Sequence, residues 1–185
     1  MGNKMGCITE FTPEKLIIGV LIGDGFRPPD PENRIKPLLE THFGKIDSAS
    51  PRFPFTFTDY YTEEMGEEIE KMFYAFEMLV DPSSLADIKL LTNRLEAQFT
   101  VGGKRKINLD PGILNLYRLI LASTKNAPHR VPLSQGIYAE ITLIYRNKNF
   151  QDLFWTYPDF RTEPYKNFLL EIRSLYKQQL KQQRE

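Results

Sequence analysis

The feature that most limits the fold of this chain is LIIGVLIG at residues 16–23, its longest apolar stretch. Glu14 and Lys15 precede it, and it falls far short of the roughly 20 residues that span a bilayer, so no transmembrane helix is expected. A short unbroken apolar run, ended by Gly23, Asp24, Gly25 and Pro28-Pro29, predicts a central strand over 16–22.

Periodicity sets the expectations for the rest. From Asn33, Ile35, Leu38, Leu39 and Phe43 fall at helical spacing, Gly44 stands at a helix stop, and Pro37 is tolerable only near a first turn. Phe53, Phe55 and Phe57 alternate as a strand that ends near Asp59, and KMFYAFEMLV at 71–80 reads as its antiparallel neighbour across the acidic TEEMGEE. Asp81-Pro82-Ser83 starts a helix with the stripe Leu85, Ile88, Leu91, Leu95 and Phe99. After Val101-Gly102-Gly103, Lys104 to Leu109 reads as a strand running into a turn at Asp110-Pro111-Gly112. Strand, helix, strand, strand, helix, strand is the order of a ferredoxin-like split βαββαβ unit, with both helices on one face of an antiparallel sheet.

Beyond it, Tyr117–Ser123 and Val131–Leu133 are expected to pair across TKNAPH, GIYAEITLIY at 136–145 alternates as a further strand, and 150–154 returns after the turn Arg146-Asn147-Lys148-Asn149. Residues 113–121 are apolar on every side and fit a strand or a buried helix. Pro164 opens a last helix with Phe168, Leu169, Ile172, Leu175 and Tyr176 on its apolar side. The expected fold is therefore α+β, the split unit extended by a C-terminal β-meander and a final helix. With 185 residues one domain over 1–185 is expected, with a flexible start at 1–14 and a frayed tail at 178–185.

Composition removes several functions. Lys plus Arg and Asp plus Glu number 24 each, so no whole-chain field draws in polyanions, and nucleic acid and anionic membranes are disfavoured as partners. Cys7 with His42 and His129 supplies neither a disulfide nor a zinc cage, and no haem or iron–sulfur cluster is expected. The start MGNKMGCITEF lacks a charged region followed by an apolar one, and Gly6 stands where a myristoylation signal needs Ser or Thr, so a cytoplasmic location is expected. Gly103-Lys104 is followed by Arg105 and has Gln98 five residues before it, which is no P-loop; no Gly-x-Ser-x-Gly or His-Glu-x-x-His pattern occurs.

Five segments set polar groups among apolar or turn residues. In TDYYTEEMG (58–66), Asp59, Tyr60 and Tyr61 stand at a strand end, either facing a cleft or capping a turn and finishing the core. In RKINLDPG (105–112), Asp110 is a turn cap or a metal ligand. STKNAPHR (123–130) puts Lys125, His129 and Arg130 around one turn: a point charge, a titratable donor and a planar fork, which suit a phosphate as well as a solvated loop. Glu140 alternates with Tyr138 and Thr142, and a wet strand face suits it better than pairing with a cation. In WTYPDF (155–160), Trp155 and Tyr157 either stack on a ligand ring or lock the last helix to the sheet.

FPFTFTDYYTEEMG, INLDPG, STKNAPHR with GIYAEITLIY, and WTYPD, in this order over nearly the whole chain, resemble an uncharacterised prokaryotic family, domain of unknown function 4416. Some members are labelled GTP-binding protein. This chain lacks the motifs for that label, since Thr124-Lys125-Asn126-Ala127 has Ala127 where guanine recognition needs an aspartate. The resemblance transfers no residue roles and marks these segments as the place to look. The reading is a small-ligand protein for a phosphorylated or nucleotide-like molecule, with Tyr60, Tyr61, Lys125, His129, Arg130, Trp155 and Tyr157 as contacts. If it is an enzyme, Asp59, His129 and Glu140 are the catalytic candidates, and Asp59, Asp110 and Glu140 would hold magnesium. The alternatives are an RNA-binding ferredoxin-like module, although KMFYAF lacks the expected glycine at Met72, and a non-catalytic protein that forms a homodimer.

Overall fold

In a computed structural model, which describes residues 8–24 and 30–183, the elements in chain order are β1 (Glu14–Ile22), α1 (Asp30–Phe43), β2 (Ile46–Ala49), β3 (Phe53–Pro54), a 3-10 turn (Asp59–Tyr61), α2 (Thr62–Met65), β4 (Glu70–Val80), α3 (Leu85–Glu96), β5 (Thr100–Val101), β6 (Lys104–Arg105), β7 (Ile107–Leu114), β8 (Arg118–Ser123), β9 (Val131–Pro132), β10 (Tyr138–Arg146), β11 (Asn149–Asp152) and α4 (Glu163–Gln182). The fold is α+β, built on a large antiparallel sheet of order β11-β10-β8-β7-β1-β4-β2, with β3 on β4 and β9 on β10. No helix of the described residues is long and apolar enough to cross a membrane.

The apolar run does form the central strand: every residue of β1 is buried, and it pairs with β4 on one edge and β7 on the other. Its alternate side chains feed two cores. Leu16, Ile18, Val20 and Ile22 pack with Ile35, Leu39 and Phe43 of α1 and with Ile88 and Leu95 of α3. Ile17, Phe73, Leu114, Leu119 and Leu143 face Phe168, Leu169 and Ile172 of α4 across the opposite face. Each such side chain contributes about 1.5–3 kcal/mol by leaving water. Phe73, Tyr74 and Phe76 of β4 are all consumed by these two layers.

Several local expectations are corrected. The strand expected over 53–57 shrinks to β3, followed by one more backbone bond from Phe55 N–H to the Ile69 carbonyl (2.8 Å), and Ile46–Ala49 supplies further pairing along β4. Pro37 lies well inside α1, which starts at Asp30 rather than Asn33. Gly25 and Pro28-Pro29 lie outside the described residues. So does Cys7, within the expected flexible start; Glu14, at the end of that stretch, already belongs to β1. At the other end α4 continues to Gln182, and Gln179 there donates to the Glu77 carbonyl (2.7 Å) and accepts from Lys15 (3.0 Å).

Asp110-Pro111-Gly112 makes no turn. β7 runs straight through it, with Pro111 opposite Ile18 of β1. The N–H and C=O of Leu109 point away from β1 to side chains of α3, and Pro111, two residues on, turns its missing N–H the same way, so the β1 ladder loses nothing. The turn comes at Asn115, whose Oδ1 accepts from the N–H groups of Tyr117 (2.8 Å) and Arg118 (3.0 Å). Residues 113–121 are thus parts of two strands, and β8 pairs with β10; Val131–Pro132 pairs with β10 as well and not with β8.

Candidate functional site

The sheet face that α4 covers changes character along its own strands. Beneath the helix it is apolar: Ile17, Phe73, Leu114, Leu119 and Leu143. Beyond the helix the same face carries Lys71 on β4, Asp110 and Asn108 on β7, Ser123 on β8 and Glu140 on β10, and these line a cleft of about 570 Å³. Gly19 faces Asp110 and Phe73 across the ladders, and a Cβ there would come within 3.3 Å of Lys71 Cε, so the glycine makes room for that lysine's chain. Glu140 reaches this face through an irregularity of register between Ile141 and Leu143, where Thr142 is extra. Glu140 is then opposite Leu121 and Leu143 opposite Leu119, all on one face. The alternation that suggested a wet position for Glu140 is broken there, and the residue is 1% exposed.

A second opening is in the plane of the sheet. β8 pairs with β7 only from Gly112 to Leu114, which leaves the edge of 107–111 free. α3 closes it: Glu96 Oε1 accepts from the Leu109 N–H (2.7 Å), and Lys89 Nζ donates to the Leu109 carbonyl (2.8 Å). A line of alternating charge follows from there. Lys89 pairs with Asp110 (3.3 Å) and lies 4.0 Å from Glu96, Glu96 pairs with Arg105 (2.6 Å), and Arg105 with Glu64 (3.1 Å). On the other side of Asp110, Lys71 pairs with Asp159 at 2.6 Å, each side chain 5% exposed. Burial pushes the Asp110 carboxyl up, but the Lys89 and Lys71 ammonium groups and the Asn108 amide (2.7 Å) outweigh it and hold it below the usual range. Burial wins at Glu96, whose carboxyl is raised in spite of Lys89, the Leu109 N–H and Arg105.

Aromatic rings form the walls. Phe55, Phe57, Tyr60 and Tyr61 stand edge to face on one side, with centroids 4.9–6.0 Å apart. Tyr157, Pro158 and Phe160 form the other side. Burial raises the Tyr61 hydroxyl, and burial with the Glu140 charge pushes Tyr157 up to about 12. From the loop after β8, Lys125 sets its Nζ 3.7 Å from the centre of the Tyr60 ring, and among the described residues it has no acidic partner.

Tyr60, Tyr61, Asp110, Lys125, Glu140 and Tyr157 therefore come together from segments far apart in sequence. His129 and Arg130 stand behind Glu140: its Oε2 accepts from Arg130 Nε (2.8 Å) and meets His129 Nε2 (3.0 Å), while its Oε1 meets Thr142 Oγ1 (3.3 Å). Arg130 also donates to Ser123 Oγ (3.0 Å), to the Lys125 carbonyl (2.7 Å) and to the Tyr157 hydroxyl, so all three of its guanidinium nitrogens are engaged by protein groups. Trp155 stacks on His129, centroids 5.2 Å apart and planes 9° from parallel, and bonds the Ile141 carbonyl through Nε1 (2.8 Å). Asp59 is exposed at the start of its 3-10 turn and does not line the cleft. Asp59, Asp110 and Glu140 are not gathered into a metal site: among the described residues no group of three or more His, Cys, Asp or Glu side chains is placed to hold a metal ion.

Sequence reasoning missed Lys71, Lys89, Asn93, Glu96, Arg105 and Asp159. One signal was present: Lys89, Thr92 and Glu96 continue from Leu85 at steps of four, three and four, a buried polar stripe beside the apolar one of α3.

Among known proteins, a family model described as a domain of unknown function (DUF4416) matches residues 12–176. No curated protein and no solved structure matches the chain.

Proposed function

The chain belongs to this family of unknown function, and from its cleft we propose that it binds a small phosphorylated ligand carrying a ring or a compact carbon skeleton. The observation that carries the reading is Lys125. The buried lysines of the cleft are neutralised by Asp159 and Asp110, and Arg105 by Glu96 and Glu64, whereas Lys125 has no acidic partner among the described residues and is parked on an aromatic face. An anionic group would replace that contact with a charge-assisted hydrogen bond, and Tyr60, released by the lysine, would offer its ring to the ligand. Arg130 serves as a strut for this arrangement, since it holds the Lys125 carbonyl, Ser123 and Tyr157 on the buried Glu140.

The order β7-β1-β4-β2, with α1 and α3 on one face, supports reading the first part of the chain as a ferredoxin-like split unit. The aromatics of β4, on which a base-stacking RNA module would depend, are buried, which favours the small-ligand reading over the RNA one. A thermal-shift screen of inorganic phosphate, phosphosugars and nucleotides, with and without magnesium, tests the proposal. A ligand at a hundred times its dissociation constant should stabilise the fold by about 2.7 kcal/mol, and Lys125→Ala should lose the shift. If none of these compounds raises the melting midpoint, the proposal fails.

A further inference from the structure

The two buried lysines of the cleft are held in different ways. Lys89 gives its protons to the Leu109 carbonyl and Asp110 with Glu96 nearby, and so closes the free edge of β7. Among the described residues Lys71 has a single hydrogen-bond acceptor, Asp159 Oδ2 at 2.6 Å. Four rings surround it, with the centroids of Phe160, Phe73, Tyr165 and Phe55 4.5, 5.4, 5.6 and 5.7 Å from Nζ, and the Asp110 carboxylate acts on it through its charge. As a device for stability this pair is a poor choice, because desolvating two charges offsets their attraction and apolar side chains of similar size serve a core at least as well. Its position is better explained by the cleft it lines. An amine among aromatic rings, hydrogen-bonded to one carboxylate and at the wall of an open pocket, has the setting that imine chemistry requires.

We propose that Lys71 forms a Schiff base with the carbonyl group of a small phosphorylated aldehyde or ketone bound in the cleft. This rests on the ligand reading above and narrows it to a carbonyl compound whose phosphate faces Lys125. In the first step Asp159 takes a proton from the Lys71 ammonium. The freed amine electron pair then bonds to the carbonyl carbon, and the C=O π electrons move to oxygen. That oxygen collects one proton from the nitrogen and the other back from Asp159, and it leaves as water. The products are the protonated imine and the original carboxylate, so charge and atoms balance without any oxidant or reductant. Asp159 and Lys71 are the catalytic residues of this step, and Gly19 is the positioning residue that gives the lysine chain its path.

Borohydride trapping tests the proposal. The full chain is incubated with glyceraldehyde 3-phosphate, reduced with sodium borohydride and mapped by peptide mass spectrometry, with unphosphorylated glyceraldehyde in parallel. The reduced adduct is expected on Lys71 in several-fold excess over the exposed Lys104 and Lys148, and the unphosphorylated compound should label Lys71 several-fold less. Lys71→Arg keeps a cation for Asp159 and should lose the adduct, with its folding checked by circular dichroism and its melting midpoint. Equal labelling of Lys71, Lys104 and Lys148, or no label on Lys71, overturns the imine. The two readings separate in a thermal-shift arm with inorganic phosphate: a shift without a Lys71 adduct sinks the imine and leaves the ligand reading standing, whereas no shift from any phosphorylated compound sinks the ligand reading itself.

Discussion

One face of one sheet is used in two opposite ways. Under α4 the face is Ile17, Phe73, Leu114, Leu119 and Leu143, closed by helix side chains. A few residues further along the same strands it is Lys71, Asp110, Asn108, Ser123 and Glu140, which line an open cleft bordered by aromatic walls, by α3 and by the loop that carries Lys125. The first half owes its stability to area removed from water and tolerates no opening. The second half holds buried charges that stabilise little in net terms, yet each becomes costly if its partner is removed. The same backbone can serve both because a strand specifies only which face a side chain takes, while the helix above decides whether that face is wet.

The comparison breaks most sharply at the Glu140 hub. Arg130→Ala should lower unfolding free energy by about 3–5 kcal/mol, since it takes the guanidinium from a buried carboxylate and leaves it only His129 and Thr142; urea denaturation measures it, and a loss below about 1 kcal/mol would mean that the hub is not a strut. Leu169→Ala, at a fully buried position under α4, should cost about 2–5 kcal/mol through lost burial and a cavity. Unlike Arg130→Ala it should leave any ligand-induced thermal shift intact, a contrast that assigns the two halves different jobs.

Gly19→Ala sits where the halves meet. Its Cβ would press on Lys71 Cε and Phe73 at 3.3 Å, so a loss of about 1–3 kcal/mol is expected, together with a displaced Lys71. Acid sharpens the comparison by titrating the polar half. The Asp110 carboxyl is held below its unfolded value of about 3.9, so its contribution is full above that pH and is lost as pH falls through the depressed native value. Urea unfolding from about pH 5 downward should therefore show a stability loss in the wild type that is shallower in Asp110→Asn, and identical slopes would contradict it. The smallest effect on the fold is expected from Lys125→Ala, about 0.5–1 kcal/mol for an exposed cation on a ring, although it should abolish phosphate-dependent stabilisation.

Much of the frame was legible in the sequence. The unbroken run of β1 and the stripe of α3 reflect local periods that survive into the fold, and 136–145 does form a strand although its alternation breaks at Thr142. The site was legible only in part. Tyr60, Tyr61, Lys125 and Tyr157 stood out as polar or aromatic groups in turn-forming segments, and all four line the cleft. Lys71 looked like one charge in an apolar strand, and its partner Asp159 lies 88 residues away, a separation that no periodic pattern bridges. Glu140 was assigned to the wrong setting because one extra residue, Thr142, reverses which neighbours share its face.

What the sequence determined by itself is the central strand β1 and the helices α3 and α4, because hydrophobic spacing is a property of neighbours along the chain. Tertiary structure alone decided that Asp110-Pro111-Gly112 is strand and not turn, since the cost of proline depends on whether a strand lies where its missing N–H would point, and β8 pairs with β7 only from Gly112. It alone decided that Lys71, Lys89 and Asp110 meet. Charges become partners through three-dimensional proximity in a medium of low dielectric constant, and that medium exists only once α3, α4 and the sheet have closed around them.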